Sequence, residues 1–350
     1  MKISDEDNPE IRKNKLSRLL DESRILDFFS SGEQAAVKMH FGEEGNTGFV
    51  RPEYVKEVCT RIIRQGAIPY LSDTNTLYPG RRLTSREHAR LAREHGFSKE
   101  AVGADLVIPD DKKAGETARI EINQKFIDTA KVAAFFCRVS AIVGLAHFKG
   151  HMMTSFGGAL KNVGMGCAAR EGKLAQHSDV SPEVIADKCA GCAACQEACP
   201  VQAIVLIKKR SHIDAKKCIG CANCIAACPH SAIEINWESG GNTIQEKMVE
   251  YAKAALKGKE RNSAFINFAV KITKECDCLA KDDPKISPDV GIFASRDPVS
   301  IDKASYDLVI KTCGKDIFKE AHPKRDGFKQ LRHAAEIGLG NLEYELIEIP

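Results

Sequence analysis

No sign of charge dominates this chain of 350 residues: 51 lysines and arginines stand against 48 acidic residues, a net charge of +3. That balance excludes the broad basic surface by which proteins hold nucleic acid or anionic membranes. No window approaches the roughly eighteen uninterrupted apolar residues that a spanning helix needs. The start, MKISDEDNPEIRKNK, is polar and acidic where a secretory signal has a basic start and an apolar core. A Walker loop is missing too, because Gly172-Lys173 runs into Leu174 and Cys167 stands where the loop would open with glycine. Gly164-x-Gly166-x-x-Ala169 matches a dinucleotide fingerprint in form, but no strand leads directly into it, so no nicotinamide cofactor is expected. These absences predict a cytoplasmic protein with neither nucleic acid nor membrane as partner, in a compartment where thiols stay reduced.

What the chain does have is cysteine, fourteen in all, and eight of them form one motif written twice. Residues 188–207 (KCAGCAACQEACPVQAIVLI) recur 29 positions later at 217–236 (KCIGCANCIAACPHSAIEIN). Each copy reads C-x-x-C-x-x-C, then a fourth cysteine after three residues, then proline. That run is the bacterial [4Fe–4S] signature, in which the fourth cysteine serves the other cluster. The predicted ligand sets are therefore crossed: Cys189, Cys192, Cys195 and Cys228 for one cluster, and Cys218, Cys221, Cys224 and Cys199 for the second. Small residues between them (Gly191, Gly220, Ala193, Ala222) suit loops whose amides must face sulfide. Zinc ribbons also use C-x-x-C pairs, yet they do not explain a third cysteine and a Cys-Pro in both copies.

Outside the repeat, short apolar runs alternate with longer amphipathic ones, which reads as α/β. Strands are expected at 34–40, 67–72, 104–108, 139–147, 264–271 and 290–294, and helices at 53–65, 84–95, 243–256 and 299–312. Asp297-Pro298 has the form of an N-cap followed by proline at the first helical position. The α/β pattern runs to about 182 and resumes at about 239, near Gly240-Gly241. The fold expected is thus a discontinuous α/β host domain (1–182 and 239–350) carrying an inserted small α+β ferredoxin-like 2[4Fe–4S] domain (183–238). Anchored at both ends, such a domain holds its clusters at a fixed distance from the host.

Three polar loops follow expected strands. Gly144–Gly166 (GLAHFKGHMMTSFGGALKNVGMG) packs histidines, lysines and glycines together after an apolar strand, where α/β folds bind ligands. His147 and His151 suit proton transfer or metal ligation, and Lys149 and Lys161 suit a carboxylate, a phosphate or an attached carbonyl group. His177 closes the region as a further ligand or base. The loop Asp73–Arg82 (DTNTLYPGRR) offers Asp73, Asn75, Arg81 and Arg82 to a polar anion, or simply caps its strand. With His40–Gly48, these loops are expected to make one crevice. Of the six remaining cysteines, Cys59 and Cys313 read as packing thiols. Cys276-Asp-Cys278 reads as a metal site, a redox thiol pair or a cluster neighbour.

With those residues in view, the chain resembles the domain of unknown function 362 family, often found with a two-cluster ferredoxin insert. The likeness rests on SDTNTLYPGRR (72–82), FKGHMMTSFGGALKNVGMGC (148–167), the cysteine repeat and DVGIFASRDPVSIDKASYDL (289–308). It implies iron–sulfur binding and leaves the reaction open. A remoter similarity is to the lactate racemase family, through the order His151, Lys161, His177. That resemblance implies a lysine-attached nickel cofactor, with Lys161 as anchor, His177 on the metal and His151 moving a proton.

The expectation is then an iron–sulfur oxidoreductase. Two [4Fe–4S] clusters would relay electrons between a redox partner protein and a site in the α/β domain, where a small anionic substrate or a further cofactor binds. His147, His151, Lys161 and Asp73 are the catalytic candidates, and Asn75, Lys149 and His177 the binding ones. The competing expectation is a carrier that hands electrons or clusters to a partner.

Overall fold

The computed structural model describes residues 1–110, 117–177, 181–235 and 243–349. The expected junction at 238–239, with Gly240-Gly241, lies outside the described residues. The chain enters through α1 (Pro9–Ser23), β1 (Gln34–Lys38), α2 (Pro52–Arg64), β2 (Ile68–Ser72), α3 (Ser85–Glu94), α4 (Lys99–Val102) and β3 (Asp105–Val107). A hairpin of β4 (Thr117–Glu121) and β5 (Thr129–Ala133), then α5 (Ala134–Arg138), leads into β6 (Ala141–His147). A second hairpin, β7 (Lys149–His151) with β8 (Ser155–Gly157), precedes α6 (Ala159–Gly166) and α7 (Arg170–His177).

The cysteine-rich segment follows as β9 (Glu183–Val184), a short 3-10 turn, α8 (Ala194–Glu197), β10 (Ile204–Ile207), β11 (Arg210–Ile213), α9 (Asn223–Ala227) and β12 (Ile233–Glu234). Beyond it lie α10 (Ile244–Leu256), β13 (Ser263–Ala269), β14 (Gly291–Ser295), α11 (Pro298–Cys313), α12 (Ile317–Ala321) and α13 (Phe328–Glu336). Among the described residues no helix is long and apolar enough to cross a membrane.

Each of the six strands expected from sequence is present, and together they form one sheet in the order β14-β13-β6-β1-β2-β3. Pairing is parallel throughout except at the edge, where β14 runs antiparallel to β13. The sheet is buried on both faces, so its strands read as continuous apolar runs, with alternate residues serving different layers. Val37, Val143 and Ile266 pack with Leu16, Val58 and Ile62 of α1 and α2. Their neighbours Ala36, Ile142 and Phe265 pack against Val163, Ala252 and Ile301 of α6, α10 and α11. The Asp297 cap forms as expected, its carboxylate accepting from Val299 N (2.8 Å) and Ser300 N (2.9 Å). Sequence periodicity missed the β4–β5 and β7–β8 hairpins, whose short strands stand outside the main sheet.

Because β2 and β3 lie on one side of β1 and β6 and β13 on the other, the chain reverses its direction of winding between β1 and β6. In open α/β sheets that switch point leaves a crevice at the carboxyl ends of the strands. Expected strand 34–40 ends early, at Lys38, so Met39 and His40 already belong to the loop above it.

Candidate functional site

A cavity of about 770 Å3 occupies that crevice. The three loops singled out in the sequence all reach it, joined by the loop Cys276–Ala280 that follows β13. Its size is that of a small-molecule site.

The floor is charged. Lys38, fully buried at the end of β1, sits 3.1 Å from Asp73 Oδ1 and donates to Asn162 Oδ1 at 2.8 Å. Burial opposes ionisation of Asp73, but Lys38 and neighbouring cationic groups hold its carboxyl below the usual range. Gly166 makes room for this pair, because a Cβ there would overlap Lys38 Cε and Nζ. Gly164 similarly admits the Met248 carbonyl of α10, so the glycines that mimic a dinucleotide fingerprint are there for packing. Lys173 reaches in from α7, donating to Thr74 Oγ1 and to Asn75 O (2.5 Å), and burial lowers its pKa to about 8.

His147 lines the cavity but is held in place. Its Nδ1 lies 2.8 Å from Asp277 Oδ1, and its Nε2 faces the carbonyls of Val270 and Lys271 at 3.1 Å. Both nitrogens are thus engaged by acceptors, which suits orientation of the Cys276–Cys278 loop better than proton shuttling. Lys149 completes the cluster, 3.2 Å from Asp277 Oδ2. Burial disfavours the Asp277 carboxylate, yet His147 and Lys149 hold it well below the ordinary range.

His151, at the end of β7, accepts at Nδ1 from Met153 N and Thr154 N, both at 3.2 Å. The ring's Nε2 is left for other work. Burial, then the charges of Lys161 and Lys149, keeps this imidazole neutral well below its usual titration range. His151, Cys276 and Cys278 bring their ligand atoms within 4.8 Å of one another. Lys161 Nζ, from α6, points at Cys276 Sγ at 3.5 Å. A hydrogen bond from the Cys278 thiol, against the cost of burial and with help from Lys161 and Lys149, pulls the Cys276 pKa well below that of a free thiol. His177 also lines the cavity, and burial lowers its pKa to about 3.

Asn75 belongs elsewhere. Its side-chain amide donates to Ser85 Oγ (2.9 Å) and its backbone N–H to Asp110 Oδ1 (2.8 Å), and it does not line the cavity. Arg81 pairs at the surface with Glu94, while buried Arg82 is tied to Glu43, Tyr78 and His40. Neither guanidinium is free to take an anion on its own. Lys38, Asp277 and Lys173 were missed in the sequence. A lysine closing the apolar run QAAVK was the available signal for the first; the other two were hidden inside motifs read for cysteine and for a phosphate loop.

The cysteine repeat builds two smaller cavities. One is lined by Cys189, Cys192, Cys195 and Cys228, the other by Cys199, Cys218, Cys221 and Cys224. The two sequence copies repeat in detail. Gly191 and Gly220 have φ of 68° and 67°, and Ala193 and Ala222 have 65° and 57°, all left-handed. Ala203 N donates to Cys199 Sγ and Ala232 N to Cys228 Sγ, each at 3.2 Å. β9 pairs with β12 and β10 with β11, so the strand leading into each copy pairs with the strand leaving the other.

The donor set suits an electron-poor metal centre. Burial pushes the Cys224 thiol up to about 12 and raises Cys221 as well, a cost that a cationic centre offsets when it takes them as thiolates. The backbone N–H groups of Ser211 and Gly191 instead lower Cys189.

The cysteine segment's apolar core contains Cys195, Cys224, Ile204 and Ile225 together with Leu174 of α7 and Leu77 of the 73–82 loop. Leu77 also lines the large cavity.

Residues 35–307 match the family described as Domain of unknown function (DUF362). The chain belongs to that family. No curated protein matches it in sequence. Among solved structures, this DUF362 protein is similar to a structural-genomics target from Thermotoga maritima, with 11% identity and a TM-score of 0.43 over 95% of this chain and 60% of that one. It is also similar to the lactate racemase apoprotein from Thermoanaerobacterium thermosaccharolyticum, with 12% identity and a TM-score of 0.44 over 87% of this chain and 54% of that one. The chain thus spans less than two thirds of either neighbour's length.

Proposed function

We propose that this DUF362 protein is an iron–sulfur oxidoreductase in which the eight repeat cysteines hold two [4Fe–4S] clusters, in the crossed sets named above, and the large cavity binds a small anionic molecule. Such clusters supply one-electron transfer when bound. The observation that carries the reading is Leu77, which belongs at once to the apolar core around Cys224 and to the wall of the cavity. The cysteine set nearer the host is that of Cys199, Cys218, Cys221 and Cys224, since a Cβ on Gly220 would lie 3.7 Å from Leu174 of α7 and the charge of Glu171 on the same helix acts on Cys221. The other set includes exposed Cys192, and exposed Val205 and Ile207 lie on the same segment. A redox partner protein would dock at that outer side.

Within the cavity, Lys149, Lys161 and Lys173 draw in an anion, and His151 Nε2 faces inward as the group able to pass a proton. A cavity of this size favours an enzyme over a simple carrier. His151, Lys161 and His177 lining the same cavity favour one second reading, a lysine-attached metal cofactor of the lactate racemase kind. Intact mass without a lysine adduct, and metal analysis without nickel, would reject it.

The main reading is tested in anaerobically prepared protein by assaying iron and acid-labile sulfide, then following reoxidation by a panel of small carboxylates and organic phosphates. His151→Ala and Lys161→Met should each retain iron while slowing the reoxidation about 100-fold or more. Unchanged rates in both variants would remove the cavity from the mechanism, and stoichiometric zinc in place of iron would remove the clusters.

A further inference from the structure

Cys276 and Cys278 stand apart from the repeat, and the proposed electron relay does not use them. They lie in the cavity, with their sulfurs within 4.8 Å of one another and of a His151 nitrogen. Residues two apart span at most about 7 Å between Cα atoms, which reaches the range a disulfide can bridge. We propose that Cys276 and Cys278 form a dithiol–disulfide couple in the cavity that exchanges two electrons with the cysteine-repeat clusters.

Two further contacts favour this over a resident metal ion. Lys161 Nζ points at Cys276 Sγ, and Lys149 lies beside the same loop, so ammonium charge already faces the sulfur that a cation would need. His151 Nδ1 is committed as acceptor to two backbone N–H groups, leaving the proton of the neutral ring on Nε2. Ligation through Nε2 would move that proton to Nδ1, where it would face two backbone N–H donors. An N–H on Nε2 can instead donate a hydrogen bond to a newly formed thiolate.

The route from the repeat is short in sequence. Leu77 belongs to the same apolar cluster as Cys224, and the next residue, Tyr78, donates its hydroxyl to the Cys278 carbonyl at 3.1 Å. Arg82 donates to the same carbonyl at 3.4 Å. One loop of the host thus touches both the repeat's core and the backbone of the thiol pair.

The electron count closes within the chain. Breaking one Sγ–Sγ bond takes two electrons, which two clusters held by the repeat, each reduced by one electron, would supply. One sulfur leaves as the Cys276 thiolate facing Lys161, and the other takes one proton from solvent to become the Cys278 thiol. The reverse step forms the S–S bond, releases that proton and returns one electron to each cluster. The couple thereby links one-electron carriers to two-electron chemistry in the cavity.

The inference rests on the electron-relay reading, and the test separates the two. Anaerobic full-length protein, oxidised mildly or reduced with dithionite, is quenched with N-ethylmaleimide, digested and weighed, with iron and sulfide assayed on the same samples. The peptide carrying both cysteines should be unlabelled and lighter by two hydrogens when oxidised, and doubly labelled when reduced. In a reductive titration the wild type should take up two electrons more per chain than Cys276→Ser/Cys278→Ser of equal iron content. Should the double variant fold poorly, Cys278→Ala serves instead, with Cys276 labelled in both states. Equal labelling of the wild type in both states, with iron and sulfide present, overturns the couple alone. So does an absorption-edge spectrum showing a metal bound by one nitrogen and two sulfurs. A chain without iron or sulfide overturns the couple and the relay reading together.

Discussion

The cysteine segment and the host cavity solve the same problem, gathering reactive side chains in one place, in opposite ways. In the segment the gathered thiols are local: three cysteines of each set lie within seven residues, and only the fourth crosses from the other copy. In the host, Lys38, Asp73, His151, Lys161 and Cys276 come from five stretches of chain, brought together by a parallel sheet. Local gathering needs little core behind it and tolerates no lost ligand. Distributed gathering spreads its dependence over capping, ion pairs and packing, so single changes there should cost stability in graded amounts.

The sharpest way to break the comparison is to remove a crossing ligand. Cys199 belongs to the first copy by sequence but lines the cavity of the second. Cys199→Ser should lower iron per chain by half or more and abolish the magnetic coupling between two reduced clusters, with Cys228→Ser doing the same for the other set. If Cys199→Ser instead lost the same cluster as Cys189→Ser, by resonance spectra of the reduced variants, each copy would be a closed unit.

The next largest effect belongs to the buried pair beneath the cavity. Lys38→Met leaves the Asp73 carboxylate without its ammonium partner, which should cost about 3–5 kcal/mol in denaturant unfolding. Lys38→Met/Asp73→Leu should recover most of that, since replacing both charges removes the orphan. A double variant as unstable as the single would mean that Lys38 contributes through Asn162 rather than Asp73.

This contrast also explains what could be read in advance. Central strands buried on both faces announce themselves as apolar runs, so the six-stranded sheet was legible and its helices were placed within a few residues. The loops lining the cavity were legible because glycine, histidine and lysine crowd after strand ends. The partners that hold them were not. Lys38 looks like one residue of a strand, and its ion pair joins positions 38 and 73, a contact that no local period encodes. Asn75 was read as a ligand group because it shares a loop with Asp73, yet its amide turns the other way to Ser85 and Asp110. Neighbours in sequence at a tight turn need not share a face.

Asp302 shows the same dependence at moderate size. From α11 it caps the start of α6, accepting from Ala159 N at 2.7 Å and Leu160 N at 2.9 Å, and it receives Asn267 Nδ2 at 2.8 Å. α6 carries Lys161 and Asn162, so this carboxylate, drawn from the motif DVGIFASRDPVSIDKASYDL, positions cavity residues it never touches. Asp302→Ala should cost about 2–3 kcal/mol, as a lost cap plus buried donors left unpaired. Asp302→Asn should cost less. Intact stability in Asp302→Ala, measured by thermal melting, would show that α6 is held by packing against α10 alone.

The smallest effect is a matter of pH. His88 of α3 is fully buried, meets Asn75 Oδ1 through Nδ1 at 3.3 Å, and has its pKa lowered to about 3 by burial. In the unfolded chain the ring titrates near the ordinary 6.5, so between about 3 and 6.5 the unfolded state binds the extra proton and folding stability falls as pH falls. From pH 6.5 to 5 the loss should be about 1–2 kcal/mol. Asp110 works in the other direction. Burial raises its pKa to about 6, so over the range from 3.8 to 6 the native state holds the extra proton and gains stability on acidification. Since Asn75 joins the two groups, the raw pH profile mixes them, and comparison with His88→Gln isolates the histidine. Without the histidine's loss, the variant should gain stability relative to the wild type as pH falls below 6.5, by about 1–2 kcal/mol at pH 5. Parallel profiles would mean that His88 keeps an ordinary pKa, and that α3 opens to water more readily than its burial implies.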